Sequence, residues 1–228
     1  DEVFDAGTGS FLNRAGVVEC DAAYMDAQTL AYGSVANLTR IKNPITLARK
    51  VFEGPQTMLV SVGAEEFAQQ HGIALIDNRE LVVERELRNW QSWQATGGPV
   101  KRTGQDTVGA IALDGQGRLI AGVSTGGTAY KLPGRVGDAP LVGCGIYAGA
   151  AGAVVATGWG EAITRVAQAR RAVAFLEQGL SAQAAADAAI DVLARLVPGG
   201  EGGVIVMTPD GKSAAAWNTK RMAQTAAG

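Results

Sequence analysis

The chain is poor in the residues that most often carry hydrolytic or metal chemistry. Among 228 residues there is one histidine, His71, and there are two cysteines, Cys20 and Cys144. A Ser-His-Asp site would have to use His71, which lies in "QQHGI", a stretch that reads as a helix end. A lone histidine there is more simply a surface or capping residue. Cysteine and histidine together are too few for a zinc site, and one cysteine pair in a chain of this length is no disulfide framework. Two buried thiols of a cytoplasmic protein are the plainer expectation. Net charge is −2 with no basic block, which disfavours nucleic acid or an anionic membrane surface as partner. No apolar run reaches the roughly 18 residues that span a bilayer. The start, "DEVFDAGTGS", is acidic and lacks the apolar stretch of a signal peptide.

What is abundant is small. Glycine numbers 31 and clusters at 122–127, 134–149, 158–160 and 199–203. Such residues let backbones approach each other or a ligand, and tight turns with close helix–sheet packing are the alternative use. Apolar residues make up 47% of the chain and charged residues 18%, the balance of a globular protein with a sizeable core. Any chemistry must come largely from Thr, Asp, Arg, Lys and backbone groups.

Pattern and punctuation predict the elements. Short strands are expected at 15–20 and 30–38. A helix is expected over 43–54, with Asn43 as N-cap, Pro44 in the first turn and Gly54 at its end. A strand at 57–62 and a helix at 63–72 follow, the latter with Phe67 on its apolar side. Residues 84–95 read as a helix with Leu87, Trp90 and Trp93 along one side. Residues 96–106, "TGGPVKRTGQD", hold three glycines, a proline and two basic residues, the clearest linker in the chain. Beyond it, 107–114 and 118–125 form a hairpin around "GQG". A long glycine- and proline-punctuated loop leads to a strand at 152–158. Helical segments fill "GEAITRVAQARRAVAFLEQG" and "SAQAAADAAIDVLARL", the second capped by Ser181. A final hairpin turns at Pro209-Asp210-Gly211. Antiparallel hairpins with grouped helices predict an α+β fold. A four-layer α/β/β/α sandwich fits this order, and a three-layer arrangement is also open.

Thr107 opens the central hairpin directly after that linker. A threonine hydroxyl is a weak nucleophile without a neighbouring base. Cutting the chain just before it frees an α-amine of reference pKa about 8, which can take the hydroxyl proton without any histidine. A threonine at a strand start is also an ordinary structural choice. Four pieces, its own among them, bear on it: T-V-G-A at 107–110, S-T-G-G at 124–127, K-x-P-G-R-V-G-D-x-P at 131–140 and T-G-x-G-E at 157–161. In this order the sequence resembles the threonine-dependent N-terminal nucleophile (Ntn) hydrolases of the plant-type L-asparaginase/isoaspartyl peptidase group, relatives of glycosylasparaginase and taspase. "FDAGTGS", "ECDAAYMD" and "VANLTRIKNPITLAR" look like the N-terminal subunit of that family.

The resemblance implies one Ntn-hydrolase domain over 1–228, self-cleaved between Asp106 and Thr107 into an α portion, 1–106, and a β portion, 107–228. Thr107 would be the nucleophile and Thr125 its orienting hydroxyl. Thr157 and the Gly158 N–H would form the oxyanion hole. Arg135 would grip a substrate α-carboxylate, and Asp138 with the Gly160 carbonyl an α-ammonium. On the residues alone, Arg135 and Asp138 could instead form a loop-stabilising ion pair. Backbone carbonyls of Phe4, Ala6 and Thr8 would hold a structural sodium ion; no cofactor would serve the chemistry. The substrates implied are L-asparagine and β-aspartyl dipeptides, and the assembly a homodimer of processed αβ units.

The sequence departs from the family in three places. The family carries a further segment before "FDAG", with a first strand, that this sequence does not include. Asp5 stands where asparagine is common. Asp106 precedes the nucleophile as in glycosylasparaginase. A glycosylasparaginase-like hydrolase and an unprocessed, non-catalytic homologue are therefore the alternatives.

Overall fold

A computed structural model describes residues 2–97 and 107–227. In chain order the elements are β1 (Cys20–Asp26), β2 (Tyr32–Leu38), α1 (Pro44–Phe52), β3 (Met58–Val60), α2 (Ser61–Gln70), α3 (Glu84–Thr96), β4 (Val108–Leu113), β5 (Leu119–Thr125), β6 (Ile146–Gly149), β7 (Gly152–Gly158), α4 (Gly160–Val166), α5 (Gln168–Glu177), α6 (Ala182–Leu196), β8 (Gly202–Met207) and β9 (Ser213–Trp217). The fold is mixed α+β. One sheet has the order β3-β2-β1-β5-β4 and the other β6-β7-β8-β9. Pairing is antiparallel except between β2 and β3.

The alternation of side chains along each strand decides what packs where. In β1, Ala22 joins Val35 and Leu38 under Leu47, Ala48 and Val51 of α1 and Ala64 and Ala68 of α2. Its neighbours Ala23 and Met25 point the other way, toward Ile146, Ala148, Ala153 and Val155 of the second sheet. In β7, Val155 faces the first sheet, while Val154 and Ala156 face α5 and α6. The small residues are used for close approach. A Cβ on Gly33 of β2 would lie 2.2 Å from the Ala48 carbonyl oxygen, so α1 rests directly on the strand backbone.

Several expectations need correction. The first strand begins at Cys20, not at residue 15. Asn13 Oδ1 accepts the Ala15 and Val17 amides at 2.8 and 3.1 Å, and Gly16 adopts φ +78°, so this stretch turns before it extends. Helix α1 starts after Asn43 as read, but the Asn43 side chain makes no capping bond. Helix α2 starts at Ser61, leaving β3 only three residues long. The first helical segment after β7 is two helices, broken at Ala167 with φ 49°. The reason is tertiary: the Ala169 and Arg170 amides donate to the carbonyls of Cys144 and Gly143, which re-aims α5 without any glycine or proline. Cys20 is buried but Cys144 only partly so, and both are free thiols. In α3 the buried residue is Glu86, while Trp90 packs beside Leu12 and Leu81 and Trp93 stacks on Tyr130.

His71 closes α2, exposed, with Nδ1 2.9 Å from the Phe67 carbonyl oxygen. The Ser181 hydroxyl accepts the Ala184 amide at the start of α6. Of the linker, Thr96 ends α3 and Gly97 caps it in the left-handed region; residues 98–106, including Asp106, lie outside the described residues.

Candidate active site

The β4–β5 hairpin pairs Val108 with Ser124, so the residue before β4 falls opposite the last residue of β5. The Thr107 hydroxyl donates to Thr125 Oγ1 at 3.2 Å. Thr125 Oγ1 also accepts the Gly127 amide at 3.0 Å, which holds it in place. Thr125 is buried, and Thr107 is partly open to solvent. On the other side of β5, Thr125 pairs with Asp21 of β1.

The glycines after Thr125 are there for lack of room. A Cβ on Gly126 would lie 2.3 Å from Asp5 Oδ1 and 2.4 Å from Ser10 Cβ. The "FDAGTGS" turn thus packs directly on the "STGG" turn, and the Gly126 amide donates to the Asp5 carbonyl at 2.9 Å. Asp5 Oδ1 accepts the Phe11 amide, also at 2.9 Å. Gly127, at φ +90°, borders Arg135: a Cβ there would lie 3.3 Å from Arg135 Nη1. One short turn therefore separates the hydroxyl pair from a guanidinium.

Arg135 is 16% exposed at its side chain, and its ion-pair partner is not Asp138 but Glu161 of α4. Its Nε donates to Glu161 Oε1 at 2.8 Å and its Nη2 to Oε2 at 3.0 Å, a planar fork. Asp138 stands close by. A Cβ on Gly160 would lie 2.7 Å from Arg135 Nη2 and 2.9 Å from Asp138 Oδ1, so the first turn of α4 rests on both. Burial pushes the Asp138 carboxyl up to about 7, against the opposing pull of its own backbone amide and of Arg135. Asp138 Oδ2 is buried with no hydrogen-bond partner among the described residues.

Thr157, the last residue but one of β7, has a buried hydroxyl with no partner among the described residues. Gly158 follows at φ +139°, with a virtual Cβ only 2.4 Å from Gly202 Cα; no side chain fits. Strand β4 faces β7 across the inter-sheet core, where Gly109 lies against Val155. Thr107 and Thr157 are each two residues from that contact. Phe4, Ala6 and Thr8 share one turn, with Gly7 and Gly9 in left-handed conformations. Phe4 is exposed, and Thr8 Oγ1 is buried with no partner among the described residues.

The structure thus brings Thr107 to Thr125, and Arg135 to Asp138 and Gly160. It adds residues to which the motifs assigned no role. Asp21 is fully buried, its carboxyl raised by burial, and it accepts the Asn37 and Gly137 amides at 2.9 and 3.3 Å. Lys131 Nζ donates to the Glu19 carbonyl at 2.8 Å, and Glu19 Oε1 accepts the Gly134 amide at 2.9 Å. Glu19 and Asp21 together tie the 131–138 loop to β1. Two acidic residues flanking the start of an apolar strand were the available signal for them. For Glu161 the signal was the last letter of the T-G-x-G-E piece.

The family model described as Asparaginase matches residues 1–228. The isoaspartyl peptidase/L-asparaginase of Xenopus laevis is 41% identical over 230 residues, covering 99% of this chain and 74% of that protein. The protein of the same name from Bos taurus is 42% identical, covering 100% of this chain and 75% of its own length. The plant-type L-asparaginase of Pyrococcus abyssi is 38% identical, covering 96% and 76% respectively. With the hydroxyl pair on the hairpin, the Arg–Asp loop against α4 and a match along its whole length, the chain belongs to the asparaginase family.

Proposed function

We propose that the protein is a self-processing amidohydrolase that cleaves the side-chain amide of L-asparagine, the isopeptide bond of β-aspartyl dipeptides, or both. The observation that carries this reading is the Thr107–Thr125 hydroxyl contact at the head of β4. Cleavage between Asp106 and Thr107 divides the single 1–228 domain into the 1–106 and 107–228 portions and frees the Thr107 α-amine. That amine takes the hydroxyl proton, and Oγ1 attacks the substrate β-carbonyl carbon. The oxyanion formed rests between the Thr157 hydroxyl and the Gly158 N–H. The tetrahedral centre collapses, the C–N bond breaks, and the leaving amine takes the proton back. Water, deprotonated by the same α-amine, then cleaves the aspartyl ester and releases L-aspartate.

Arg135 binds the substrate α-carboxylate, and Asp138 with the Gly160 carbonyl binds the α-ammonium. The buried, unpartnered Asp138 Oδ2 supports this, because burying such a group is costly unless a cation completes it. The stacking of α1 and α2, two sheets, then α5 and α6 supports a four-layer α/β/β/α sandwich of the Ntn-hydrolase type. A sodium ion on the carbonyls of Phe4, Ala6 and Thr8 suits the unpartnered Thr8 hydroxyl and would brace the turn that packs on Gly126; it enters no chemical step. The working unit is a homodimer of processed αβ units, and free thiols suit a cytoplasmic location. Among the described residues no helix is long and apolar enough to cross a membrane.

The test is intact-mass spectrometry of the purified protein with parallel assays on three amides. Fragments ending at Asp106 and beginning at Thr107, with turnover of L-asparagine or a β-aspartyl dipeptide, are expected. Preference for aspartyl-glycosylamine would shift the protein to glycosylasparaginase-like chemistry. A single uncleaved mass without turnover would leave a non-catalytic homologue.

Ammonium recognition also predicts a pH dependence that can be read without chemistry. Neutral Asp138 offers no charge to an ammonium, and its carboxyl ionises near pH 7. The Ki of the product L-aspartate therefore weakens as pH falls below about 7, approaching a tenfold change per pH unit. Inhibition constants across the neutral and mildly acid range check this; a flat profile would remove Asp138 from ammonium binding.

A further inference from the structure

Arg135 carries more than one edge that can bind a carboxylate. Glu161 occupies the Nε–Nη2 edge through the fork already described. Nη1 points the other way, toward Gly127 and Gly137, where virtual Cβ atoms would lie 3.3 and 2.9 Å from it. Both positions lack a side chain, and the atom that shares the space at Gly127 is a second cation, Lys131 Nζ, 3.1 Å from the same point; the fork onto Glu161 does not use this Nη1 end. Glu161 is itself held, because the Trp159 side chain also hydrogen-bonds it. It sits four residues after Thr157, on the turn that begins α4.

We infer that Glu161 is a positioning residue that aims Arg135 at the substrate α-carboxylate and keeps the guanidinium off Asp138. The inference rests on the substrate clamp proposed above. Two opposite effects of Glu161 must be weighed. Its charge partly neutralises Arg135 and repels a second carboxylate, which weakens binding. Its fork fixes the guanidinium plane, which strengthens binding. The surroundings decide between them. Arg135 is largely buried, Asp138 Oδ1 and Arg135 Nη2 flank the point where a Cβ on Gly160 would lie, and Asp138 Oδ2 has no partner among the described residues. A guanidinium released from Glu161 has an unpaired carboxylate within reach. Closing that internal pair would remove both halves of the clamp at once. Glu161 is half exposed, but the Arg135 side chain it pairs is only 16% exposed, so its loss leaves a largely buried guanidinium in need of another carboxylate.

The experiment compares inhibition by L-aspartate and by β-alanine, which is aspartate without its α-carboxylate. Wild-type protein, Glu161→Ala, Glu161→Gln and Arg135→Ala are assayed side by side, with thermal melts to show that each is folded. Glu161→Ala is expected to cut the preference for L-aspartate over β-alanine by on the order of tenfold to a hundredfold, as misplacement of a binding group does. KM for L-asparagine should rise more than kcat falls. Glu161→Gln, keeping one acceptor oxygen, should retain part of the preference. A general structural defect would weaken both ligands equally. An unchanged preference in Glu161→Ala, or tighter L-aspartate binding, overturns the role of Glu161 while leaving the clamp standing. Absence of any preference in wild type, or its survival in Arg135→Ala, overturns the clamp itself and the inference with it.

Discussion

Thr107→Ala is expected to leave the chain in one piece and to lower hydrolysis of L-asparagine by on the order of four to six decades, the usual consequence of deleting a nucleophile. The argument is local. Thr107 is partly exposed, and among the described residues its hydroxyl makes one side-chain hydrogen bond, to Thr125. Losing a single such bond costs about 1 kcal/mol, so the variant folds and its thermal midpoint stays close to that of the parent. Thr125 keeps its bond from the Gly127 amide, so the hairpin end stays ordered. What goes is the hydroxyl oxygen at the head of β4 that the proposed mechanism uses to attack a carbonyl, both that of residue 106 and that of a substrate. Processing and turnover must fail together. Thr107→Ser separates the parts: it keeps the oxygen but loses the methyl that restricts χ1, and so processes and turns over more slowly. Intact mass and a steady-state assay check both variants. Cleavage at 106–107 in Thr107→Ala, or turnover near that of the parent, would sink the proposed mechanism.

The second large effect is at Arg135. Arg135→Ala should raise KM for L-asparagine by on the order of a hundredfold to a thousandfold, with a smaller fall in kcat. A charge-assisted, geometrically matched partner is lost, and removing one side of such a pair costs about 3 kcal/mol or more. The damage spreads, because Arg135 is one of the charges that hold the Asp138 and Asp21 carboxyls down. Without it both become harder to ionise, and the ammonium half of the clamp weakens too. Arg135→Lys should recover little. An ammonium cannot fork onto Glu161 and still present a second edge to substrate. KM and kcat measured separately give the test. A fall in kcat with KM unchanged would place Arg135 outside substrate binding.

Much of this was legible in residues 107–161. The hairpin that joins Thr107 to Thr125 follows from two alternating runs around "GQG", since register places the start of one strand beside the end of the next. The expectation that Arg135 and Asp138 share a site rests on motif order, and both lie against Gly160. Their partners were not legible. A loop arginine three residues from an aspartate invites a local ion pair, yet Arg135 reaches 26 residues ahead to Glu161. No local pattern gives Asp21 a task, because its bonds to Asn37 and Gly137 exist only when β2 and the 131–138 loop close around β1.

The same division runs through the fold. Sequence alone determined which segments extend and which coil. Apolar period, Pro44, Ser181 and the Pro-Asp-Gly turn are short-range signals that act within a few residues. It also determined that histidine, zinc and disulfide chemistry had little to work with. Tertiary structure decided the rest. It broke the helix at Ala167, where the first-turn amides of α5 find the Gly143 and Cys144 carbonyls. It delayed the first strand to Cys20, where pairing with β2 begins, with pairing to β5 following from Asp21. It set the state of Asp138, whose carboxyl is unremarkable in a chain and rises to about 7 only when burial strips its water. Hydrogen bonding and desolvation depend on which groups meet, and no local pattern encodes a meeting between residues more than a hundred positions apart.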